Sequence, residues 1–323
     1  MDFTFTEEQL HIRETIRRFS ETEIKPLVFE AEETETFPKE IFKKWGDLGI
    51  LGARYPAESG GTGMDKITDC IIREELSYVS QAFASSMSAH SHLGIWPIWK
   101  AGTNDQRERF FKPALAGEKI AAFGLSEPDV GSNVRGLKTR AEKVDGGWVL
   151  NGSKMYITNA PTADAISLFI VEIPNKGFET SKLKKEGIRS SETGLIFIND
   201  AFVPDDCLLG GQTGTYPVIL DSLTENRVGV AANSLGIARA ALDASISYAR
   251  DRKIGSRKVG DFQAIAHKLA DMSAEIESAK WIVYYAAWCV DQNTLTNAIA
   301  SKAKLISSEV ALRVTERAIR IHG

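Results

Sequence analysis

The sequence predicts an α+β multidomain protein with a helical N-terminal domain, a β middle domain and a C-terminal helical bundle. Three observations support this prediction. Apolar residues follow helical spacing over residues 1–118, short strand-like segments bounded by turn residues fill 119–212, and long helical periodicity returns over 213–323. Because each segment keeps one kind of periodicity, we expect three domains with these boundaries.

The first segment opens with a helix start signal. Thr6 and Gln9 have the spacing of a capping box, in which each side chain accepts a hydrogen bond from the other residue's backbone N–H. Acidic residues fill the first turn, where the helix dipole favours negative charge. Leu10, Ile16 and Phe19 then recur at helical spacing. The pattern predicts a first helix that begins directly after Thr6.

The middle segment carries strand signals around one dipeptide. Asn151-Gly152 lies between the strand-like stretches Trp148–Leu150 and Met155–Thr158, and both of its residues tolerate the positive φ of a tight turn. We therefore expect a hairpin that turns at Asn151-Gly152. Ser167–Glu172 and Gly194–Ile198 are predicted as further strands.

One apolar seam dominates the final segment. Its members step by three and four residues without interruption, as expected for one face of a long helix. They are Phe262, Ile265, Leu269, Met272, Ile276, Ala279, Val283, Ala286 and Val290. The seam predicts a long helix packed in a bundle.

The composition excludes several classes of protein. The 323 residues are 43% hydrophobic and 25% charged, as in ordinary globular proteins, and the net charge of −4 gives no support for nucleic-acid binding. Three widely spaced cysteines argue for a reducing compartment and against a disulfide framework or a zinc site, so we expect no bound metal. Without a secretory signal or a bilayer-spanning apolar run, the expected location is cytoplasmic.

Two short motifs carry a specific resemblance. Ser126-Glu127-Pro128 followed by Gly131-Ser132, and then Met155-Tyr156-Ile157-Thr158, are similar in order and spacing to the flavin-binding signature of the acyl-CoA dehydrogenase family. The resemblance implies FAD as cofactor and an acyl-CoA thioester as substrate. It also implies a helical N-terminal domain, a β-barrel-like middle domain and a C-terminal four-helix bundle, which is incomplete in this chain.

The resemblance assigns roles residue by residue. The positions that match flavin contacts are Phe123, Leu125, Ser126, Gly131, Ser132, Tyr156, Ile157 and Thr158. Ser132, Leu223 and Arg227 match substrate contacts, and a cation at Arg227 suits the anionic phosphates of CoA. Arg252 and Gln263 match positions that reach the FAD pyrophosphate of a neighbouring subunit, which implies a homodimer or homotetramer.

The chain departs from the family pattern at three places. Thr224 stands where the family usually has an aspartate, and Gly255-Ser256 replaces a Phe-Gly pair that supplies a flavin-facing ring. Arg320 stands where a glutamine usually begins a late glycine-rich stretch. We therefore expect the half of the cofactor site that faces the neighbouring subunit to differ from the family pattern.

The usual catalytic base of the family has no match in this chain. That base is a glutamate in a Tyr-Glu-Gly-Thr stretch, which we expect beyond Gly323, so the sequence is expected to lack the C-terminal part of the pattern. In a minority of the family the base directly precedes the helix arginine, where this chain has Asn226, which cannot take up a proton. The adjacent Glu225 is a weaker candidate because it lies about 100° further around the helix.

These matches predict FAD-dependent α,β-dehydrogenation of an acyl-CoA to the trans-2-enoyl-CoA, with electron-transfer flavoprotein as the acceptor. Two alternatives keep the same fold. The chain could be a flavin- or acyl-CoA-binding subunit whose partner supplies the base, or a related flavin oxidase or monooxygenase. Flavin reduction by an acyl-CoA argues against the binding subunit, and rapid reoxidation by oxygen would favour the oxidase.

Overall fold

The computed structural model describes residues 4–133, 136–163, 165–166, 169–214 and 216–323. Its internal contacts divide the chain into two compact units. The first, called the helical unit, contains residues 1–26, 65–84 and 224–323; the second, called the sheet unit, contains 27–64 and 85–223.

Helices and strands alternate in blocks along the chain. In order, the helices are α1 (Glu7–Phe19), α2 (Lys25–Thr34), α3 (Glu40–Asp47), α4 (Lys66–Val79), α5 (Gln81–Ser88), α6 (Trp96–Ala101), α7 (Asn104–Gln106), α8 (Lys112–Leu115), α9 (Tyr216–Asp251), α10 (Gln263–Asp291) and α11 (Asn297–His322). The strands are β1 (Ala121–Ala122), β2 (Arg140–Val144), β3 (Gly147–Thr158), β4 (Ala165–Ile166), β5 (Val171–Glu172), β6 (Phe178–Lys182), β7 (Thr193–Pro204), β8 (Lys253–Ile254) and β9 (Arg257–Lys258).

The helical unit is built around α4 and the long helices. α10 packs along both α4 and α11, and α1 packs along α4. The predicted seam of α10 is buried at Met272, Ile276 and Val283 in one continuous helix, which confirms the prediction from its spacing. Val228 and Leu235 of α9 join the same hydrophobic core.

Two sheets form the centre of the sheet unit. One has the antiparallel strand order β2-β3-β7-β6, and the other has the order β1-β4-β5, in which β1 and β4 are parallel. Apolar side chains from both sheets, such as Ile196 and Val171, share one core with Phe111 from the preceding helical segment. The predicted order of helical, sheet-containing and helical segments is confirmed, while closure of the strands into a barrel stays a prediction.

The predicted hairpin turn at Asn151-Gly152 is wrong. Both residues lie inside the single strand β3, and the chain turns instead at Asp145-Gly146, where Gly146 has φ +71°. The pairing of β3 with β7 shifts register beside Gly152, which marks a β-bulge. A Cβ at Gly152 would lie 2.8 Å from the backbone of Thr139, so the glycine permits the close approach of the segment that leads into β2.

Other local predictions agree with the structure. Thr6 Oγ1 accepts from the Gln9 N–H at 3.2 Å and Gln9 Oε1 accepts from the Thr6 N–H at 3.0 Å, which confirms the capping box. The predicted strand Gly194–Ile198 is the centre of the longer β7. Of the predicted strand Ser167–Glu172, residues 167 and 168 lie outside the described part of the chain. Among the described helices, none combines the length and apolar character needed to cross a membrane.

Candidate functional site

The loop between β1 and β2 holds the first sequence motif. Residues 123–132 turn sharply at Glu127 and Val130, whose backbone N–H groups each donate to the other's carbonyl oxygen, at 2.9 and 3.0 Å. Met155 in β3 donates its backbone N–H to the carbonyl of Ser126 at 2.9 Å. The two motifs therefore lie side by side in the sheet unit.

The Glu127 carboxylate ties this loop to two other segments. It accepts hydrogen bonds from Thr139 Oγ1 at 2.6 Å, from Lys154 Nζ at 2.9 Å, and from the backbone N–H groups of Lys138 and Thr139 at 2.7 and 3.0 Å. Lys154 Nζ also donates to the carbonyl of Leu125 at 3.3 Å. The side chains of Glu127 and Lys154 are 5% and 12% exposed. We call Glu127, Thr139 and Lys154 the loop clamp.

The surroundings of Glu127 keep it ionised. Burial raises the pKa of its carboxyl group, but the hydrogen bonds from Thr139, the Lys138 N–H and Lys154 outweigh burial and hold the pKa at about 2. The carboxylate is therefore charged, and able only to accept hydrogen bonds, at any pH near neutrality.

The second motif contains a distortion of β3. The register with β7 shifts between Lys154 and Ile157, and Tyr156 between them has φ +60°. A non-glycine residue in this left-handed region costs about 1–3 kcal/mol and is common at ligand sites. The bulge leaves Tyr156 67% exposed, while Ile157 is 3% exposed and packs in the core. The strand thus presents one large aromatic ring at the surface.

The other predicted flavin residues of the sheet unit surround these two. Phe123, Leu125, Ser126 and Thr158 are half-buried, and Gly131 and Ser132 are exposed. A Cβ built on Gly131 would meet no atom of the described residues within 4 Å, so this backbone is open to a ligand on that side. An exposed ring, half-buried neighbours and an open glycine fit a planar cofactor such as a flavin, which needs a flat wall and backbone access.

A pocket of about 180 Å³ lies behind the loop. Leu125 and Leu137 form one side of it, and apolar side chains of the sheets, such as Phe178 and Ile196, form the other. Thr139 and Lys154 of the loop clamp line its polar part. The loop is therefore not packed tightly against the sheet beneath it.

The predicted substrate residues lie on α9. Arg227 is exposed, and its Nη1 donates to Oδ1 of Asn297 at the start of α11, at 3.2 Å. Thr224, which stands where the family usually has an aspartate, donates to the same oxygen at 2.9 Å. Leu223 is half-buried. A tethered but exposed guanidinium is suited to a phosphate ligand.

The two residues before Arg227 contact α4. Glu225 lies 3.5 Å from the buried ammonium of Lys66, and the Asn226 side-chain oxygen accepts from Arg73 Nη2 at 3.1 Å. Lys66 and Arg73 are fully buried. Glu225 is thus engaged in an ion pair, and its predicted role as a base stays a prediction.

The remaining predicted cofactor residues lie at the β8–β9 hairpin. The backbone of Arg252 donates to Tyr248 and accepts from Val259, which fixes the start of the hairpin. The side chains of Arg252 and Gln263 are both exposed. Their exposure is compatible with contacts to another subunit, and these roles stay predictions.

Sequence reasoning missed four residues that organise these sites. Glu127 was read only as part of a motif, while Thr139, Lys154 and Asn297 were not singled out. A weak signal existed for Lys154, because a lysine lies on a strand directly before three predicted flavin residues. Nothing in the local pattern around Thr139 or Asn297 could have paired them with residues so distant in sequence.

Comparison with protein families matches most of the chain. Residues 6–118 match the family description "Acyl-CoA dehydrogenase, N-terminal domain", residues 122–201 match "Acyl-CoA dehydrogenase, middle domain", and residues 215–323 match "Acyl-CoA dehydrogenase, C-terminal domain". The fold and the flavin-type site thus define one class of protein. The chain belongs to the acyl-CoA dehydrogenase family.

Individual relatives agree with this assignment. The chain is 37% identical to the short-chain specific acyl-CoA dehydrogenase of Clostridium acetobutylicum, over 100% of this chain and 89% of that protein. It is 35% identical to the CarC subunit of the caffeyl-CoA reductase-Etf complex of Acetobacterium woodii, over 99% and 89%. The solved butyryl-CoA dehydrogenase of Megasphaera elsdenii superposes with a TM-score of 0.94 at 35% identity, covering 100% of this chain and 90% of that one.

Proposed function

We propose that the protein catalyses FAD-dependent α,β-dehydrogenation of an acyl-CoA thioester to the trans-2-enoyl-CoA. The observation that carries this function is the bulge of β3, which exposes Tyr156 beside the half-buried loop 123–126 in a member of this family. The names of the relatives, which include short-chain acyl-CoA and butyryl-CoA dehydrogenases, support a short acyl chain.

In this reaction the substrate loses a proton from Cα and a hydride from Cβ, so a base and a hydride acceptor are both required. FAD, when bound, would supply the hydride acceptor. Tyr156, Ile157 and Thr158 would hold it from β3, with Phe123, Leu125 and Ser126 opposite. Gly131 and Ser132, which are exposed, would approach both the cofactor and the CoA part of the substrate.

The remaining proposed ligand contacts lie between α9 and the start of α10. Arg227, held by Asn297, is suited to a CoA phosphate, with Leu223 on the same helix α9. Arg252 and Gln263 would contact the FAD pyrophosphate of a second copy in a homodimer or homotetramer. These assignments are part of the proposal.

The direct test is flavin reduction. We expect the purified protein to be yellow and to lose its flavin absorbance when butyryl-CoA is added without oxygen. Arg227→Met should raise the KM for butyryl-CoA about tenfold or more, because one charge-assisted hydrogen bond to the substrate is lost. A protein that binds FAD but is not reduced by any acyl-CoA would contradict the dehydrogenase and favour the partner-dependent binding subunit.

The position of the base has its own test. Because Glu225 is already paired with Lys66, we expect Glu225→Gln to retain more than about a tenth of the reduction rate, whereas removal of a true general base costs about 10²–10⁴-fold. A loss of that size would identify Glu225 as the base.

The electron acceptor is proposed from a relative. The Acetobacterium protein is named as a subunit of an Etf complex, which supports an electron-transfer flavoprotein as partner of this chain. We expect reduced flavin in this protein to be reoxidised much faster by electron-transfer flavoprotein than by oxygen. The opposite order would favour the oxidase or monooxygenase.

A further inference from the structure

We propose that Glu127 and Lys154 are positioning residues for the cofactor, which set the orientation of the Leu125–Ser126 backbone through the loop clamp. The identity of the ligand in this inference, FAD, rests on the proposed function. The positioning itself rests on contacts within the sheet unit and can be measured without a ligand.

The hydrogen bonds of two backbone carbonyl groups show how the loop backbone is oriented. The carbonyl of Leu125 accepts from Lys154 Nζ at 3.3 Å, and the carbonyl of Ser126 accepts from the Met155 N–H at 2.9 Å. The peptide bond after Leu125 is trans and planar, so the N–H of Ser126 points opposite to the Leu125 carbonyl. The hydrogen bond from Lys154 to the Leu125 carbonyl therefore turns the Ser126 N–H away from the Lys154 side chain.

The orientation of the next peptide bond, between Ser126 and Glu127, follows from the same geometry. The Ser126 carbonyl faces β3, so the N–H of Glu127 must point away from β3, and it donates to Val130 at 2.9 Å. The loop backbone from Leu125 to Glu127 is thus fixed by one side-chain contact and three backbone hydrogen bonds. Only the side-chain contact can be removed by mutation without changing the backbone.

Side-chain packing restrains the loop too weakly to replace the clamp. Leu125 borders the pocket of about 180 Å³ instead of a filled core. A side chain beside empty space loses contacts on that side, so it restrains its backbone weakly. The clamp, with four hydrogen bonds to one carboxylate, therefore restrains this segment together with its backbone hydrogen bonds.

The charges of the clamp depend on each other. Lys154 is 12% exposed, and without Glu127 its ammonium would lie almost buried with only a carbonyl as partner. Glu127 without Lys154 keeps its two backbone donors and Thr139, but the Leu125 carbonyl loses its partner. Removing one member of a buried pair leaves an uncompensated charge, so both variants should release the loop.

A set of matched variants tests the proposal. Glu127→Gln and Lys154→Met remove one clamp charge each, and Lys154→Arg keeps both the charge and a donor. Asp129→Asn is the control, because Asp129 forms an ion pair with Lys138 on the same loop but both side chains are more than 70% exposed. FAD affinity, the flavin absorption spectrum, the reduction potential of bound flavin and backbone amide exchange over residues 123–139 are measured for each folded variant.

We expect Glu127→Gln and Lys154→Met to weaken FAD binding about 10- to 100-fold and to shift the spectrum and potential of the flavin that remains bound. Lys154→Arg should restore most of both properties, and Asp129→Asn should match the wild-type protein. A clamp that only stabilises the fold would lower stability but leave the spectrum and potential unchanged, and that result would overturn the proposal.

Amide exchange separates this inference from the proposed function. If the wild-type protein does not bind FAD, the proposed function fails and the cofactor role fails with it. The clamp still predicts that the amides of residues 125, 126, 138 and 139 exchange faster in Glu127→Gln than in Asp129→Asn. Equal exchange in the two variants would show that the clamp does not position the loop.

Discussion

The two units bury charge in different ways. In the sheet unit, one buried carboxylate, Glu127, accepts hydrogen bonds from four donors, which belong to Lys138, Thr139 and Lys154. In the helical unit, α4 buries Glu74 and Glu75 against arginines from other helices. The first arrangement fixes the backbone of a loop, while the second joins helices that are far apart in sequence. Similar chemistry therefore serves a site in one unit and the packing of helices in the other.

The buried carboxylates of α4 form a network with partly exposed arginines. Glu75 accepts from Arg17 of α1 at 3.2 Å and from Arg239 of α9 at 2.9 Å, and Glu74 accepts from Tyr284 of α10 at 2.6 Å. Burial lowers the pKa of Arg239, but the carboxylates of Glu74 and Glu75 outweigh it and raise the pKa above its ordinary value. The network connects four helices.

The largest predicted effect concerns this network. Glu75→Gln removes the carboxylate that Arg13, Arg17 and Arg239 share, so we expect the free energy of unfolding to fall by about 3–5 kcal/mol. Urea denaturation measures it. The control Glu277→Gln removes an exposed ion pair with Lys280 and should change the value by less than about 0.5 kcal/mol. Similar losses in the two variants would remove the contrast between buried and exposed pairs.

The next prediction tests the buried carboxylate of the sheet unit by changing the pH. The pKa of Glu127 is about 2 in the folded protein, below its ordinary value of 4.5, so its stabilisation is complete above pH 4.5 and is lost as the pH falls toward 2. Up to about 3 kcal/mol should disappear in this window. Urea denaturation of the wild type and Glu127→Gln at several pH values should show their difference in stability shrinking by that amount.

A second buried group titrates in a different window. Burial lowers the pKa of His90 from 6.5 to about 4, and its neutral ring is bonded to the Ala114 carbonyl at 3.0 Å and the Ala121 N–H at 2.9 Å. The unfolded chain takes up a proton at His90 before the folded protein does, so stability falls mainly between pH 6.5 and 4. This loss of stability is the same in the wild type and in Glu127→Gln. A difference between these proteins that changes mainly above pH 4.5 would contradict the assignment to Glu127.

A smaller effect tests the close contact between α4 and α9. A Cβ at Gly229 would lie 2.1 Å from Nη1 of Arg73, a fully buried atom without a hydrogen-bond partner among the described residues. Gly229→Ala should cost about 1–3 kcal/mol in the free energy of unfolding, although alanine normally favours a helix over glycine. In an Arg73→Met background we expect the same change to be nearly neutral, because the clash is relieved. A stabilised single variant would contradict this contact.

The smallest effect concerns the strained backbone of Tyr156 at the proposed flavin site. Tyr156→Gly should stabilise the apoprotein by about 1 kcal/mol, because Tyr156 has φ +60° and is 67% exposed, and should weaken FAD binding. Ile188→Gly is the control, since Ile188 has φ +47° in the same unit and no proposed role in binding. It should stabilise similarly without changing FAD affinity. Thermal unfolding and flavin titration distinguish the two outcomes.

Local sequence signals predicted much of the fold. The seam of α10 and the cap at Thr6 are local, because each is set by residues within one or a few helical turns. The hairpin prediction failed where two turn-forming dipeptides, Asp145-Gly146 and Asn151-Gly152, compete within the same stretch. Propensity could not choose between them, since strand pairing with the distant β7 decides which dipeptide lies inside the strand.

The candidate site also has a part that the sequence predicted and a part that it did not. The motif residues and the tyrosine position were visible from the sequence, and so was the family. The loop clamp was not, because Glu127 and Lys154 are 27 positions apart and meet only once β3 lies beside the loop. The left-handed conformation of Tyr156 also arises from the register shift with β7, not from its own preference.

The sequence by itself determined the order of helical and β segments, the long bundle helix and the flavin-type motifs, because these depend on periodicity and on short stretches of chain. Only the tertiary structure decided which buried charges meet. Glu75 and Arg239 are 164 positions apart, and no local pattern relates them. The physical reason is that a buried charge is stable only with its partner, and that partner is supplied by the packing of separate elements.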